Sequence, residues 1–363
     1  MALILAATVV AYWPALHAGW IWDDDAYVTG NPVVHLGDGI WRAWFPGQTP
    51  QYYPLVFVSF WLQYAIHGLH PLGFHLVNVL LHAASALLLW RILVRLGVSG
   101  ALIAVAIFAL HPVQVESVAW VTERKNVLSM MFALTSVMLW LRWSSPPGSA
   151  RGSAGWAALS FVAFLAAMLS KTTAVAVPVA LLALEWWRGN LRRDSFMVLI
   201  LLFMPVAVAM GLFTARVELV QVGATGPEFD RSFVERLAQA AQAWWFYPSS
   251  WVWPADLTFI YPRFTQGPEG VLPWLALAAV VATAVVAWRL ATHGHRGFAA
   301  LVILYGAGIF PALGFINVYP LRYAPVADHF GYVAGVAICV GLGWLMSSAW
   351  EWWRHRSAAT NVR

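Results

Sequence analysis

GFHLVNVLLHAASALLLWRILV, residues 73–94, holds one formal charge, Arg91, in 22 consecutive positions. As an α-helix rising about 1.5 Å per residue, such a run crosses a hydrocarbon core of roughly 30 Å. A spanning barrel strand needs period-2 alternation, and this run has none. With no water in the bilayer core to satisfy backbone groups, the helix is the form left. Inside the run His75, Asn78, His82 and Ser85 follow one another at spacings of three, four and three, one polar stripe on an apolar helix. Polar groups in a membrane helix face the bundle interior, where they hydrogen-bond neighbours or line a cavity. His82 and Ser85, deeper in the run, read as packing residues; His75 and Asn78, nearer its start, are candidate substrate contacts.

The same reading extends to 2–19, 100–118, 127–142, 155–170, 172–187, 196–214, 271–289, 298–316 and 329–349. The 363 residues are 61% hydrophobic and 10% charged, against about 25% charged in an ordinary globular domain. The expected fold is therefore an all-α polytopic bundle of about 10–11 spans in one domain, 1–363. The eleventh rests on 237–253, rich in Trp and interrupted by Pro248 and followed by Pro254, which reads as a further span or an interfacial hairpin. Residues 1–18 end in Ala15-Leu16-His17-Ala18, a small-residue pattern like a cleavage site, but lack a basic start; they read as a first membrane helix. Segment 144–155 reads as a short Ser/Pro/Gly loop. Cys339 lies alone in an apolar run, so the chain has no internal disulfide framework.

The net charge of +5 does not point to nucleic acid, because the basic residues are scattered between apolar runs. They sort by side. With a cytoplasmic N-terminus, one set of loops holds Arg91, Arg95, Arg142, Arg151, Arg188, Arg192, Arg193, Arg289, Arg296, Arg354 and Arg356, the positive-inside pattern. The opposite set holds segment 20–72, with Asp23, Asp24, Asp25 and Asp38 against Arg42, and a second large loop, 216–270. Segment 20–72 is aromatic and amphipathic, which suits helices in the interface plane.

Chemistry is expected on that outer side. Asp23, Asp24 and Asp25 are adjacent carboxylates where the first helix ends; mutual repulsion and desolvation raise their pKa values, which fits a general base. A solvated acidic turn and a hard-cation site are the other readings. His111-Pro112-Val113-Gln114-Val115-Glu116-Ser117 leads to Glu123-Arg124-Lys125-Asn126, and Ser170-Lys171-Thr172-Thr173 forms a second short outer turn. Arg124, Lys125, Lys171 and Arg322, with Arg263, are cations against the inside rule. Either they snorkel toward headgroups or they hold an anion, such as a phosphate, at the outer surface. Acids beside cations there suit a base acting on an acceptor hydroxyl while the cations stabilise a departing phosphate. That chemistry is glycosyl transfer from a lipid-phosphate sugar.

The same residues carry a family resemblance. Trp22-Asp23-Asp24-Asp25 with Asn31-Pro32, Gly73-Phe74-His75-Leu76-Val77-Asn78-Val79-Leu80-Leu81-His82, His111 to Ser129, Ser170-Lys171 with Pro178, Tyr261-Pro262 and Phe310-Pro311-Ala312-Leu313-Gly314 together resemble the membrane region of bacterial tetratricopeptide-repeat glycosyltransferase-like proteins. That region is similar to the transmembrane-and-tetratricopeptide-repeat O-mannosyltransferases. The resemblance implies a C-type glycosyltransferase fold, a lipid-phosphate sugar donor and a catalytic Asp in the first outer loop, Asp23 or Asp24. Two departures stand out. Asp328-His329-Phe330 replaces an Asp-Arg-Tyr-like triplet, removing one expected phosphate ligand, and no repeat domain follows the last span before Arg363.

The expectations are then specific. The catalytic pair is Asp23 and Asp24; Arg124, Lys125, Lys171 and Arg322 bind the donor phosphate; His75, Asn78, His111, Glu116, Glu123 and Asp328 contact substrate. The reaction is an inverting transfer of a sugar, mannose by the resemblance, from a polyprenyl-phosphate carrier to a hydroxyl of an acceptor protein or glycolipid. No cofactor is expected, and no metal for a monophosphate donor; a diphosphate donor would call for a divalent cation. The setting is a bacterial inner membrane with the site facing the periplasm, in contact with membrane lipid and not nucleic acid. A non-catalytic scaffold of the same fold and a transporter of lipid-linked substrate are the rivals, the latter requiring internal pseudo-symmetry.

Overall fold

The computed structural model describes residues 1–145 and 152–360; positions 146–151 of the expected Ser/Pro/Gly loop, with Arg151, lie outside the described residues. All regular structure among the described residues is helical. Pro71–Arg95, Val121–Trp143, Arg193–Val222 and Leu272–Thr292 are each long and apolar enough to cross a membrane. Ala101–Leu110 and Pro112–Ala119, bent by 52° at their junction, make a fifth if taken as one span. Ala2–Ala11, Ala154–Met168, Thr172–Trp187 and Arg296–Ala312 are shorter apolar helices, and Gly335–Thr360 closes the described chain. Every expected span therefore contains a helix, but several break before reaching membrane length. The first stops at Ala11 and continues as a tighter 3-10 turn, Trp13–His17, with Pro14 near its start. Segment 237–253 is neither hairpin nor short: Phe233–Val252 runs unbroken through Pro248. Leu272–Thr292 buries only Pro273 and Ala287 and leaves most of its apolar surface open, an arrangement stable against lipid and not against water. The fold is an all-α membrane bundle.

Local chemistry sets the joints that place the site. Pro71 opens the Pro71–Arg95 helix, where its missing N–H costs nothing. At the other end Gly97, at φ +68°, bonds to Val94 O at 3.1 Å and Val98 N to Leu93 O at 3.0 Å, the paired bonds of a Schellman stop. Ala101–Leu110 ends at His111, whose extended backbone (φ −70°, ψ 133°) is what a following proline imposes. The same helix lies tightly on Gly335–Thr360: a Cβ on Gly343 would sit 2.7 Å from Ala104 N and 2.9 Å from Gly100 O. Small residues permit that approach, as in other membrane helix pairs.

Arg124–Trp143 and Ala154–Met168 are joined by polar groups as well as by packing. The Ser136 and Ser160 hydroxyls each donate to the other's carbonyl at 2.8 Å, and Ser129 Oγ donates to Ala167 O at 3.0 Å. These bonds fix the turn bearing Lys171. In segment 20–72, Asn31 accepts from Val33 N at 2.9 Å and donates to Ala26 O at 2.8 Å, so the Asn31-Pro32 pair caps one short helix and ties the acidic turn to it. Phe57 and Phe60 of the Pro54–His67 helix bury this segment against Phe74 and Val121.

Candidate active site

The Pro71–Arg95 stripe grips the turn that follows Pro112–Ala119. His75 Nδ1 donates to Ala119 O at 2.8 Å, and Asn78 Nδ2 donates to Trp120 O at 3.0 Å. Asn78 Oδ1 accepts from Arg124 Nε at 2.9 Å. Deeper, His82 Nε2 donates to Ala109 O at 3.2 Å while Nδ1 accepts from Tyr332 OH at 2.7 Å, and Ser85 bonds back to Leu81 O within its own helix. The stripe is thus mostly mortar. His75 Nε2 differs: it is buried without a hydrogen-bond partner.

The gripped turn meets the acidic turn, and there Asp23 and Asp24 part company. Asp24 is fully buried. Its Oδ1 accepts from Thr122 N at 2.9 Å and Thr122 Oγ1 at 2.6 Å, and its Oδ2 from Ile21 N at 2.9 Å. Burial pushes its carboxyl upward and these bonds oppose the push. Asp23 is partly exposed as a residue, but its Oδ1 is itself buried and has no hydrogen-bond partner. Burial raises its pKa, Lys125 opposes this, and the charges of Glu123 and Asp24 add to it. Just before it Trp22 holds φ +50°, an uncommon value for a bulky residue. Asp25 is an exposed member that accepts from Thr29 Oγ1 at 2.8 Å.

Glu123 is the hub beside them. Fully buried, it receives Lys125 Nζ at 2.9 Å on Oε1 and Lys171 Nζ at 3.1 Å on Oε2, with His329 Nε2 at 3.8 Å. Lys125 also lies 5.1 Å from the Tyr27 ring centroid and 5.7 Å from that of Trp120. Burial lowers the Lys171 pKa to about 8, with Glu123 opposing. Two cations on one carboxylate leave a surplus of positive charge beside Asp23. On the far side Glu116 Oε1 lies 2.9 Å from His329 Nδ1 and Glu116 Oε2 accepts from His329 N at 2.8 Å, while Asn126 Nδ2 donates to His329 O at 2.9 Å. Asp328 accepts from Tyr261 OH at 3.0 Å, and burial carries its pKa up to about 7, Glu116 adding and Tyr261 and His329 opposing. His329 therefore stands in the unusual triplet as the link between Glu116 and Glu123.

The remaining candidates lie elsewhere. Arg124 is wholly buried: besides Asn78 it bonds Gln63 Oε1 and Phe74 O (2.7 Å), and its guanidinium covers the Phe60 ring at 4.6 Å. Arg322 is exposed, paired with Glu228 at 2.8 Å. His111 accepts from Val113 N at 3.4 Å and stacks on Trp251, centroids 4.5 Å apart. Around the hub Trp120 meets Phe259 at 4.9 Å, and Trp22 meets Phe259 and Tyr323 at 5.6 Å each, an aromatic rim. Among the described residues no three His, Cys, Asp or Glu side chains converge as metal ligands. Sequence reasoning missed Thr122, which differs from any other threonine only by its place in three dimensions. It also missed the chain from Tyr27 OH through Gln51 to Glu218, whose other oxygen accepts from Tyr319 N at 2.9 Å.

Comparison with known proteins points to relatives of stated activity. The chain is similar to the TMTC protein O-mannosyl-transferases. Protein O-mannosyl-transferase tmtc2 of Xenopus laevis is 36% identical over 164 residues, 42% of this chain and 20% of that protein. TMTC2 of Mus musculus is 32% identical over 163 residues, 42% of this chain and 20% of that protein. TMTC3 of Homo sapiens is 27% identical over 178 residues, 46% of this chain and 19% of that protein. The match to these TMTC relatives spans about a fifth of their length. No family model and no solved structure matches the chain.

Proposed function

We propose that this chain is a membrane glycosyltransferase that moves a sugar from a polyprenyl-phosphate carrier to an acceptor hydroxyl, with Asp23 as its base. The observation that carries the reading is the contrast between the paired aspartates: Asp24 has both oxygens engaged by the scaffold, whereas Asp23 keeps an unpartnered oxygen. The names of the TMTC relatives support the transfer reaction, and mannose as the sugar.

In this reading Asp23 takes the proton of the acceptor hydroxyl as its oxygen attacks the anomeric carbon. The bond from that carbon to the phosphate oxygen breaks, and its electron pair stays on the phosphate. Lys125 and Lys171, jointly one charge in excess over Glu123, stabilise the developing negative charge. A single displacement inverts the anomeric centre. Arg124 acts here as a brace for the turn and Asp24 as its anchor. The acceptor is a protein Ser or Thr, or a lipid or glycan hydroxyl, on the periplasmic or lumenal face.

The test is transfer of radiolabelled mannose from synthetic polyprenyl-phosphate donors by purified protein in lipid. Asp23→Asn should abolish transfer and leave the folded yield unchanged, while Asp24→Asn should lower the yield itself. Full turnover by Asp23→Asn would sink the assignment; no turnover by wild type with any donor would favour a scaffold.

A further inference from the structure

A polar cavity of ≈ 180 Å³ lies between the Phe233–Val252 helix and residues 263–268, with Arg231 and Arg263 both in its wall beside Gln239, Gln242 and Gln266. A water occupies about 30 Å³ in the liquid, so the cavity is large enough for a small polyatomic ion. Arg236 is not available to it: its guanidinium donates to Arg231 O, Gly314 O and Phe229 O and so fixes the loop that carries Arg231. Arg231 makes one side-chain bond, to Gln239 Oε1, and Arg263 one, to Arg322 O at 3.3 Å. Glu235 also lines the cavity, its Oε2 held by Ser232 N and Ser232 Oγ at 2.7 Å each in a capping box, and Glu228 pairs with Arg322. Burial and the neighbouring charges of Arg263 and Arg236 lower the Arg231 pKa, with Glu235 opposing weakly.

We infer that Arg231 and Arg263 form an anion seat for a phosphate group. Two arginines in the wall of one cavity outnumber its single carboxylate among the described residues, Glu235, and guanidinium forks suit the tetrahedral, multi-oxygen geometry of phosphate better than that of any point anion. The seat is tied to the aromatic rim: Arg263 bonds the carbonyl of Arg322, and the next residue, Tyr323, meets Trp22 edge-on beside Asp23. A lipid-linked phosphate and a soluble phosphate ester share this chemistry. The seat does not rest on the transferase reading, and its test reads binding, not turnover.

Full-length protein in phosphatidylcholine nanodiscs at low ionic strength would be titrated with inorganic phosphate and, separately, reconstituted with polyprenyl monophosphate, following occupancy by native mass spectrometry and melting temperature. Wild type should bind, and Arg231→Gln and Arg263→Gln should each weaken binding by about tenfold or more, with Arg263→Lys recovering part. Binding of the lipid alone identifies a headgroup seat, and binding of both probes a general phosphate seat. Because Arg231→Gln also removes a bond to Gln239, Arg263→Gln at its exposed position carries the test should the former misfold. Absence of saturable binding of either probe, or equal binding by wild type and Arg263→Gln, overturns the inference.

Discussion

Thr122 gives both of its hydrogen-bond donors to a single oxygen of Asp24, the backbone N–H at 2.9 Å and the hydroxyl at 2.6 Å. Two chain segments 98 positions apart are pinned there, with no solvent to replace a lost bond. Thr122→Val keeps the shape and removes the hydroxyl, so it should cost ~1–3 kcal/mol of stability. Asp24→Asn should cost a comparable amount and Asp23→Asn almost none. Thermal unfolding in lipid checks the order; Asp23→Asn proving the more damaging of the two would refute this division of roles.

Glu123 is the one carboxylate in ion-pair contact with both Lys125 and Lys171 among the described residues. Glu123→Gln should therefore destabilise by ~3–5 kcal/mol, the usual result of leaving buried charges uncompensated. Adding Lys171→Met to that variant should restore part of the loss, while Lys171→Met alone should destabilise. A double-mutant cycle on folded yield and melting temperature measures the coupling; additive effects would show that the three groups do not act together.

Transfer should depend on pH as a bell. The rising limb reflects ionisation of Asp23, above the ordinary carboxylate value near 4 because burial raises it. The falling limb lies near pH 8, where Lys171 loses its proton and the surplus charge beside Asp23 disappears. Lys171→Arg keeps its charge at higher pH, so the falling limb should move up. An unmoved limb in kcat/KM would assign it to another group.

Asp328, with its pKa carried to about 7, is favoured in the protonated form by folding. The stability this contributes is complete below the unfolded value near 4 and is lost as pH rises through 7. Asp328→Asn mimics the neutral carboxyl and should flatten that part of the stability curve between pH 4 and 7. A variant with the wild-type slope would place the titration elsewhere.

Gly343→Leu should prevent close packing of Gly335–Thr360 on Ala101–Leu110, because its Cβ would meet Ala104 N at 2.7 Å and Cβ at 2.8 Å. Overpacking of this kind costs ~1–3 kcal/mol or more. Lower folded yield with unchanged expression is the expected readout, and Gly343→Ala should be milder; a Leu variant as stable as wild type would mean that the helix contact is loose.

The helices were legible because lipid imposes a simple demand, although among the described residues four of them, or five counting the bent pair, and not ten or eleven, are long and apolar enough to cross a membrane. An apolar run with one charge, such as 73–94, has to satisfy its backbone as a helix, and each expected segment does contain one. The polar stripe was legible in outline too, since His75, Asn78, His82 and Ser85 share a helix face and all are buried. What each stripe residue grips was not, because its partners lie 27 to 250 positions away for the three that bond outside the helix. Breaks inside the runs were harder to see: Pro248 leaves its helix continuous, whereas Pro112 follows a bend of 52°.

Residue type and order alone determined that this chain is an all-α membrane bundle, with acids and cations concentrated at the ends of its helices, because hydrophobicity and helical period act locally along the chain. Tertiary structure decided what those charges do. Adjacent Asp23 and Asp24 look equivalent in sequence, but Thr122 and Ile21 engage both oxygens of one and not Oδ1 of the other. Likewise Arg124 is drawn into the interior by Gln63, Phe74 and Asn78, whereas its neighbour Lys125 joins Lys171 on Glu123. The physical reason is that the ionisation and availability of a buried group follow from desolvation and the few dipoles and charges within hydrogen-bonding reach, and folding, not sequence distance, brings those together.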